Sequence, residues 1–271
     1  MSNPCGSATA GGEAATVPVG GVEMAYRSVG EGRPLLLVHG NYGSKRWFEE
    51  QLRDPAPGWR YIAPDLPNFA QSGDLPGEIS IAAYARHLAA FCDALGLDDL
   101  VLLGHSLGGA VVQALALDEG ERVKGLVLVA SASPSGHFTS EEHIALLDSF
   151  VGNREGLHAA LAATIPSGLP DYFPAIVDDA LQMRAPAYTG NARALAAFDV
   201  SDRTASFTNP VLVVRGALDL PHLITEEIAR ATAAAYPDAT LELWDDVGHS
   251  PQIEAPGRFN ALLRRFLEED L

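Results

Sequence analysis

The sequence is poor in cysteine, in positive charge and in long apolar runs, and each shortage excludes a class of protein. Its 271 residues include two cysteines, which form neither a disulfide framework nor a metal-ligand spacing and favour a reducing compartment. Lysine and arginine total 18 against 35 acidic residues, and the net charge of −17 argues against nucleic acid or an anionic membrane as partner. No apolar run approaches the ~18 residues of a membrane span, and the first residues lack the pattern of a signal peptide. We therefore expect a cytoplasmic globular protein.

Short apolar segments alternate with helical segments along most of the chain. This alternation is typical of an α/β protein, with a mostly parallel sheet covered by helices on both faces. The block 136–207 breaks it, because this block contains only helical segments, predicted at 140–150, 155–163, 173–183 and 192–198. We predict a helical cap over the carboxyl edge of the sheet, where open α/β sheets bind their ligands. The predicted parts are a flexible tail at 1–15, a core formed by 16–135 and 208–271, and the cap at 136–207.

A serine lies on a glycine-rich turn between a predicted strand, LVLL, and a predicted helix, AVVQALAL. Ser106 is the centre of G-x-S-x-G, and the strand–turn–helix context is typical of a strained turn that exposes a nucleophile. Gly104 and Gly108 supply the small neighbours that such a turn needs, and Gly109 lets the helix pack close to the strand. A serine without function on a flexible turn is the alternative, which this context disfavours.

A nucleophilic serine needs a base within hydrogen-bond reach and an acid that orients the base. In this kind of sheet the chain order is serine, acid, histidine. His249 is the only histidine after the last predicted strand, and Asp219 is the only carboxylate in the turn after the strand VLVVRG. Asp245 and Asp246 are alternative acids, but we expect them to be solvated because a sequence neighbour poorly reaches the far ring nitrogen.

The reaction also needs donors for the developing oxyanion. We expect one from the backbone N–H of Leu107, which follows the nucleophile, and one from the backbone of Asn41 in the loop after the third strand. Each such donor is worth about 3 kcal/mol. The side chains of Asn41 and Tyr42 either face the pocket or support the loop.

These motifs together resemble those of the α/β-hydrolase superfamily, in its serine-nucleophile, esterase-like group with a helical cap. The resemblance covers about residues 17–267 and rests on HGN, GHSLGG, Asp219 after its strand, and GHSPQIE. It implies a mostly parallel eight-stranded sheet and hydrolysis of esters, thioesters or lactones without a cofactor. Relatives with an aspartate nucleophile differ in chemistry, because serine stands at that position here. Asn68 and Ala70 stand where the family usually has glycine, which leaves the shape of their loop open.

Other side chains are weaker candidates for contact with substrate. Tyr42, Trp47, Phe138 and His222 are proposed to line the pocket, and Phe48 is a further candidate. The alternatives are loop support for Tyr42, core packing for Trp47, Phe48 and Phe138, and a surface position for His222. His105 is expected to pack behind the serine turn. The cap histidines His137, His143 and His158 are expected to form no metal site. The large apolar side chains of the cap are expected to form an apolar surface; they are Phe138, Phe150, Tyr172, Phe173, Met183 and Tyr188.

The predicted activity is hydrolysis of small to medium, largely apolar carboxylic esters through an acyl-enzyme on Ser106. A lactonase, for instance on N-acyl homoserine lactones, and a C–C bond hydrolase are alternatives. The C–C hydrolase ranks lower because the sequence shows no arginine pair to hold a dienoate acid. A ligand receptor without activity is less favoured, since the triad is intact. The expected partner is a small-molecule ester or lactone, with the chain as a monomer or homodimer.

Overall fold

The computed structural model describes residues 12–271, except the side chain of Glu13. Its strands form one eight-stranded sheet in the order β1-β2-β4-β3-β5-β6-β7-β8, with antiparallel pairing at β1-β2 and β2-β4 and parallel pairing elsewhere. The predicted α/β fold with a mostly parallel eight-stranded sheet is confirmed. The strands are β1 (Glu13–Val19), β2 (Val22–Gly30), β3 (Arg33–Val38), β4 (Trp59–Pro64), β5 (Leu100–His105), β6 (Val123–Val129), β7 (Val211–Gly216) and β8 (Ala239–Trp244).

Helices cover both faces of this sheet. They are α1 (Glu49–Arg53), α2 (Ile81–Ala94), α3 (Leu107–Glu119), α4 (Glu141–Asp148), α5 (Arg154–Ala163), α6 (Phe173–Ala180), α7 (Ala185–Ala196), α8 (Glu226–Ala234), α9 (Pro251–Glu254) and α10 (Pro256–Glu269). Short 3₁₀ turns lie at Lys45–Phe48, Gly120–Arg122 and Thr204–Ser206. Among residues 12–271, none of the helices has both the length and the apolar character needed to cross a bilayer.

Burial of the central strands explains their sequence. All residues of β5 and β7 are buried, because helices cover both sides of the sheet there, and both strands are accordingly apolar over most of their length. Helix α3 follows β5 directly and is buried from Leu107 to Ala116, so its start is held against the sheet. Because β5 to β8 are parallel, the carboxyl ends of β5, β7 and β8 and the loops that follow them meet at one edge of the sheet.

The sheet edge and the cap differ from the sequence prediction in two places. Strand β1 begins at Glu13, so residues 13–15, predicted as tail, pair with β2, while residues 1–11 lie outside the described residues. Helix α7 begins at Ala185 rather than at 192, because Pro186 fits the first helical turn, where no N–H is needed. Gly190 lies within α7, where a Cβ would stand 2.9 Å from Ile79 Cδ1. Its lack of a side chain therefore permits close packing of the cap on the core.

The loop after β4 adopts positive φ angles at two residues other than glycine. Asn68 and Ala70 adopt positive φ angles of 74° and 40°. Asn68 tolerates this conformation better than most residues, and its Oδ1 accepts a hydrogen bond from Leu75 N at 2.8 Å. Its carbonyl accepts from Arg184 N at 2.9 Å, which joins this loop to the start of α7 in the cap.

Candidate active site

Ser106 stands on a strained turn between β5 and α3. Its backbone has φ 54° and ψ −116°, outside the regions that side chains favour. The turn is held by hydrogen bonds from Ser106 N to Val129 O at 3.0 Å and from Gly109 N to Ser106 O at 2.9 Å. A Cβ on Gly104 would lie 2.5 Å from Gly108 O, so only glycine fits there. The sharp turn predicted from G-x-S-x-G is therefore the structure that the neighbouring glycines permit.

Asp219 and His249 are brought together by loops after β7 and β8. His249 Nδ1 lies 2.8 Å from Asp219 Oδ2, and both side chains are buried. Since a carboxylate only accepts, Nδ1 carries the proton and Nε2 keeps a free lone pair. The Asp219 carboxylate has no other hydrogen-bond partner within residues 12–271, and its Oδ1 is buried without one. The carboxylate is therefore poised to stabilise a positive charge on His249.

His105 holds the carbonyl of His249. Its Nε2 donates to His249 O at 2.9 Å, and its ring stacks on Trp47 with centroids 5.2 Å apart. Complete burial lowers the pKa of His105 well below its ordinary value, with a further lowering by His249, so the ring is neutral. The sequence predicted packing behind the serine turn. It did not predict this contact with the loop that carries His249, because the two histidines are 144 residues apart.

Replacing His105 by glutamine, which retains a donor, is expected to flatten the acid dependence of stability. The folded-state pKa of His105 is depressed, so below pH 6.5 the unfolded chain binds a proton that the folded chain excludes. Stability therefore falls as pH falls, and the slope of the unfolding free energy between about pH 6.5 and 5 should drop by up to about 1.4 kcal/mol per pH unit in His105→Gln. Urea unfolding across this range measures the slope. An unchanged slope would mean that His105 is protonated in the folded protein.

Glu254 fixes the backbone on both sides of His249. Its Oε1 accepts from Gly248 N at 2.9 Å and from Ser250 N at 3.1 Å. Its Oε2 accepts from the backbone N–H of Ser167 at 3.1 Å and also from the Ser167 hydroxyl, which ties the cap to this loop. The sequence prediction assigned Glu254 no role, although it lies in the GHSPQIE motif.

The loop after β3 and the start of α3 each present one backbone donor to the site. His39 Nδ1 donates to Gly40 O at 2.8 Å, and His39 Nε2 accepts from Leu66 N at 3.0 Å, so the loop is anchored from behind. Burial lowers the pKa of His39, which keeps its ring neutral. The N–H groups of Asn41 and Leu107 donate no hydrogen bond within residues 12–271. Both residues line the same cavity as Ser106, as an oxyanion site requires.

The cap is tied to this same loop. Asp179, in α6, accepts a hydrogen bond from the Ser44 hydroxyl at 2.7 Å and an ion-pair hydrogen bond from Arg46 Nε at 2.8 Å. These contacts join the cap to the segment that follows the oxyanion loop. The loop after β3 is therefore held by the core on one side and by the cap on the other.

Ser106 and His249 open into a cavity of about 650 Å³ beneath the cap. Its wall includes Tyr42, Trp47, Phe138 and His222, the four residues that the sequence proposed for substrate contact. Phe138 is 82% exposed and stands at the rim. The rest of the wall is mainly aliphatic, and the lining contains no aspartate, glutamate, lysine or arginine.

Only part of the predicted apolar cap surface faces the cavity. Phe138 and Phe150 line the cavity, whereas the other predicted side chains pack into the interior of the cap or core; these are Tyr172, Phe173, Met183 and Tyr188. Phe48 is likewise buried in the core. Asp245 and Asp246 are exposed, and Asp246 pairs with Arg258 at 2.9 Å. Asp219 is therefore the carboxylate that the fold places on His249.

Three histidines gather in the cavity wall. His143 and His222 have ring centroids 5.0 Å apart, and both lie close enough to His137 to lower the pKa of its ring. Burial lowers the pKa of both His137 and His143, so these rings are neutral near pH 7. His158 packs on Phe173 instead. In the described part of the chain, no cluster of three or more histidine, cysteine or acidic side chains is arranged to hold a metal ion.

Comparison with known proteins agrees with this geometry. A family model described as the alpha/beta hydrolase fold matches residues 33–164. A 2-hydroxymuconate semialdehyde hydrolase of Pseudomonas putida is 30% identical over 266 residues, covering 89% of this chain and 89% of that protein. The chain belongs to the α/β-hydrolase family. The resemblance inferred from its motifs is thereby confirmed.

Solved structures resemble this α/β-hydrolase over nearly its whole length. An X-ray structure of a putative aryl esterase from Burkholderia cenocepacia has a TM-score of 0.80 at 26% identity, covering 94% of this chain and 98% of its own. Est816, described as an N-acyl homoserine lactone degrading enzyme, has a TM-score of 0.79 at 27% identity, covering 93% and 100%. The similar proteins thus include different hydrolases, and substrate class must be argued from the cavity.

Proposed function

We propose that this α/β-hydrolase is a carboxylic ester hydrolase that cleaves uncharged, largely apolar esters through an acyl-enzyme on Ser106. The observation that carries the proposal is the cavity at Ser106, which is large, mainly aliphatic and free of charged side chains. A pocket of this kind binds apolar groups by removing their surface from water.

The same cavity disfavours substrates with a carboxylate. A buried carboxylate that finds no cationic partner costs several kcal/mol. The wall has no arginine or lysine, and burial lowers the pKa of two of its five histidines, His137 and His143. The substrate in the name of the Pseudomonas putida relative is a muconate, which carries a carboxylate. We therefore place ester hydrolysis ahead of C–C bond hydrolysis for this chain.

Acylation uses the proton path that the buried pair provides. His249 Nε2 takes the proton of the Ser106 hydroxyl while Oγ attacks the ester carbonyl carbon. The oxyanion accepts from the N–H groups of Asn41 and Leu107, which have no other acceptor in the described chain. The positive charge on His249 is stabilised by Asp219 at 2.8 Å. The carbon–oxygen bond to the alcohol then breaks, and the alcohol leaves with the proton from His249.

Deacylation repeats these steps with water. His249 removes a proton from water as the water oxygen attacks the acyl carbon, and the same two N–H groups hold the second oxyanion. The bond to Ser106 Oγ breaks, Oγ regains a proton from His249, and the carboxylic acid leaves. Asp219 and the contacts of His105 and Glu254 keep His249 in one orientation through both halves.

Lactone hydrolysis is the second candidate function. A lactone is an uncharged cyclic ester, so the same groups open its ring and the same cavity accepts it. The similarity to Est816, at 27% identity over nearly the whole chain, supports this candidate. Here the freed hydroxyl remains part of the acyl chain, and deacylation releases a single hydroxy acid.

A matched pair of esters tests the charge preference. We expect kcat/KM for p-nitrophenyl hexanoate to exceed that for p-nitrophenyl hemiadipate, in which a carboxylate replaces the terminal methyl, by at least about a hundredfold. An N-acyl homoserine lactone and 2-hydroxymuconate semialdehyde complete the panel for the purified protein. Equal rates for the two esters, or preferred turnover of the muconate semialdehyde, would overturn the proposal.

A further inference from the structure

The side chain of Asn41 presents a hydrogen-bond donor that the mechanism does not use. Its Oδ1 accepts from Asn191 Nδ2 of α7 at 2.8 Å. Its Nδ2 makes no hydrogen bond within residues 12–271 and is not buried, so it is accessible to a ligand. Asn41 lines the cavity and follows Gly40. Gly40 lies against the nucleophile, because a Cβ added to it would stand 2.8 Å from Ser106 Cβ. The Asn41 side chain therefore places an accessible amide donor beside the proposed oxyanion site.

A series of polar contacts fixes which end of the Asn41 amide is free. It begins at Leu75 N, which can only donate and bonds to Asn68 Oδ1 at 2.8 Å. The amide nitrogen of Asn68 is thereby directed away from Leu75, and the Asn68 side chain lowers the pKa of Tyr84 against the larger effect of burial, as a donor beside the phenol oxygen does. Tyr84 in turn donates to Asn191 Oδ1 at 2.8 Å, and Asn191 Nδ2 donates to Asn41.

Burial makes this order of donors and acceptors costly to reverse. Tyr84 and Asn191 are fully buried, and Asn68 is 5% exposed. Burial raises the pKa of Tyr84 strongly, so its hydroxyl keeps the proton that it donates to Asn191 Oδ1. Rotating any amide by half a turn would set two donors or two acceptors against each other without water to relieve them, at a cost of about 1–3 kcal/mol. The oxygen of Asn41 is therefore turned to the cap and its nitrogen is left for the cavity.

We propose that Asn41 Nδ2 donates a hydrogen bond to a second oxygen of the substrate, next to the scissile carbonyl, and that Asn68, Tyr84 and Asn191 set its orientation. The inference rests on the proposed ester hydrolysis and narrows its substrate class. The favoured substrates carry an ether, keto or amide oxygen one or two atoms from the ester carbonyl. In an otherwise apolar cavity, this one donor discriminates between such compounds and plain alkyl esters.

An isosteric pair of substrates tests the inference. p-Nitrophenyl methoxyacetate differs from p-nitrophenyl butyrate by an ether oxygen in place of one methylene group. We expect the ratio of their kcat/KM values, methoxyacetate over butyrate, to fall about five- to tenfold in Asn41→Ala relative to the unaltered protein. The intrinsic reactivity of the two esters cancels in this comparison. Tyr84→Phe, which removes only the donor to Asn191, should lower the ratio in the same direction by a smaller factor.

Tyr61→Phe is the matched control, because Tyr61 is a buried tyrosine in β4 outside this series. Its ratio should equal that of the unaltered protein. Equal losses on both esters in Asn41→Ala and Tyr84→Phe would show a purely structural role and overturn the inference, while ester hydrolysis itself stands. If Asn41→Ala does not fold, the ratio in Tyr84→Phe decides alone. If the unaltered protein cleaves neither ester, the proposed function fails, and this inference fails with it.

Discussion

Replacing Ser106 by alanine is expected to lower kcat/KM for p-nitrophenyl hexanoate by at least about 10⁴-fold. The hydroxyl supplies the bond-forming atom, and no neighbouring group can supply another from the same turn. The backbone of the turn is held by hydrogen bonds to Val129 and Gly109 that alanine preserves. We therefore expect Tm to change little, so that the loss reports chemistry rather than unfolding.

Ser206→Ala is the matched control for this variant. Ser206 is an exposed serine whose hydroxyl donates to Arg203 O, far along the chain from the site. Initial rates at several ester concentrations separate kcat from KM for both variants. Ester turnover that survives in Ser106→Ala, with the protein folded, would rule out the acyl-enzyme mechanism.

Asp219→Asn is expected to lower kcat about 10⁴-fold with little change in KM. Asparagine preserves the shape of the side chain but removes the charge that stabilises protonated His249. Its amide nitrogen can also face Nδ1, which would move the ring proton to Nε2 and abolish the base. The effect follows from the 2.8 Å contact and from the absence of another partner for the Asp219 carboxylate in the described chain.

Asp246→Asn gives the comparison for this substitution. Asp246 lies three residues before His249 in sequence, but it is exposed and pairs with Arg258. We expect its kcat and KM to match those of the unaltered protein. A large loss in Asp246→Asn, with full activity in Asp219→Asn, would transfer the role of the acid to the loop after β8.

The placement of Ser106, Asp219 and His249 could be predicted because parallel strands order their carboxyl ends. Each residue follows an apolar strand that the sequence marks clearly, and the sheet brings those strand ends to one edge. Local sequence was sufficient because the position of each side chain is set by the strand directly before it.

The supporting contacts could not be predicted because they join distant parts of the chain. His105 meets His249 across 144 residues, and Asn191 meets Asn41 across 150. Neither residue has a spacing or a periodicity that marks such a contact. Only the packing of the cap and of the strand-end loops brings them together.

The early start of α7 has a similar origin. Pro186 and Gly190 were interpreted as separators of helical segments, which is their common role. In the structure, Pro186 occupies the first turn, and Gly190 packs its bare Cα region against Ile79 of the core. Contacts outside the helix therefore decide its start, and the same helix carries Asn191 to the active site.

The most direct test of the central claim is to label the protein with a fluorophosphonate and locate the adduct by peptide mass spectrometry. We expect one adduct per chain, on the peptide that contains Ser106, with ester hydrolysis lost in proportion to labelling. Ser106→Ala should remain unlabelled, because the attacking oxygen is gone. Labelling of another residue in step with the loss of activity, or full ester hydrolysis by protein labelled at Ser106, would contradict the account.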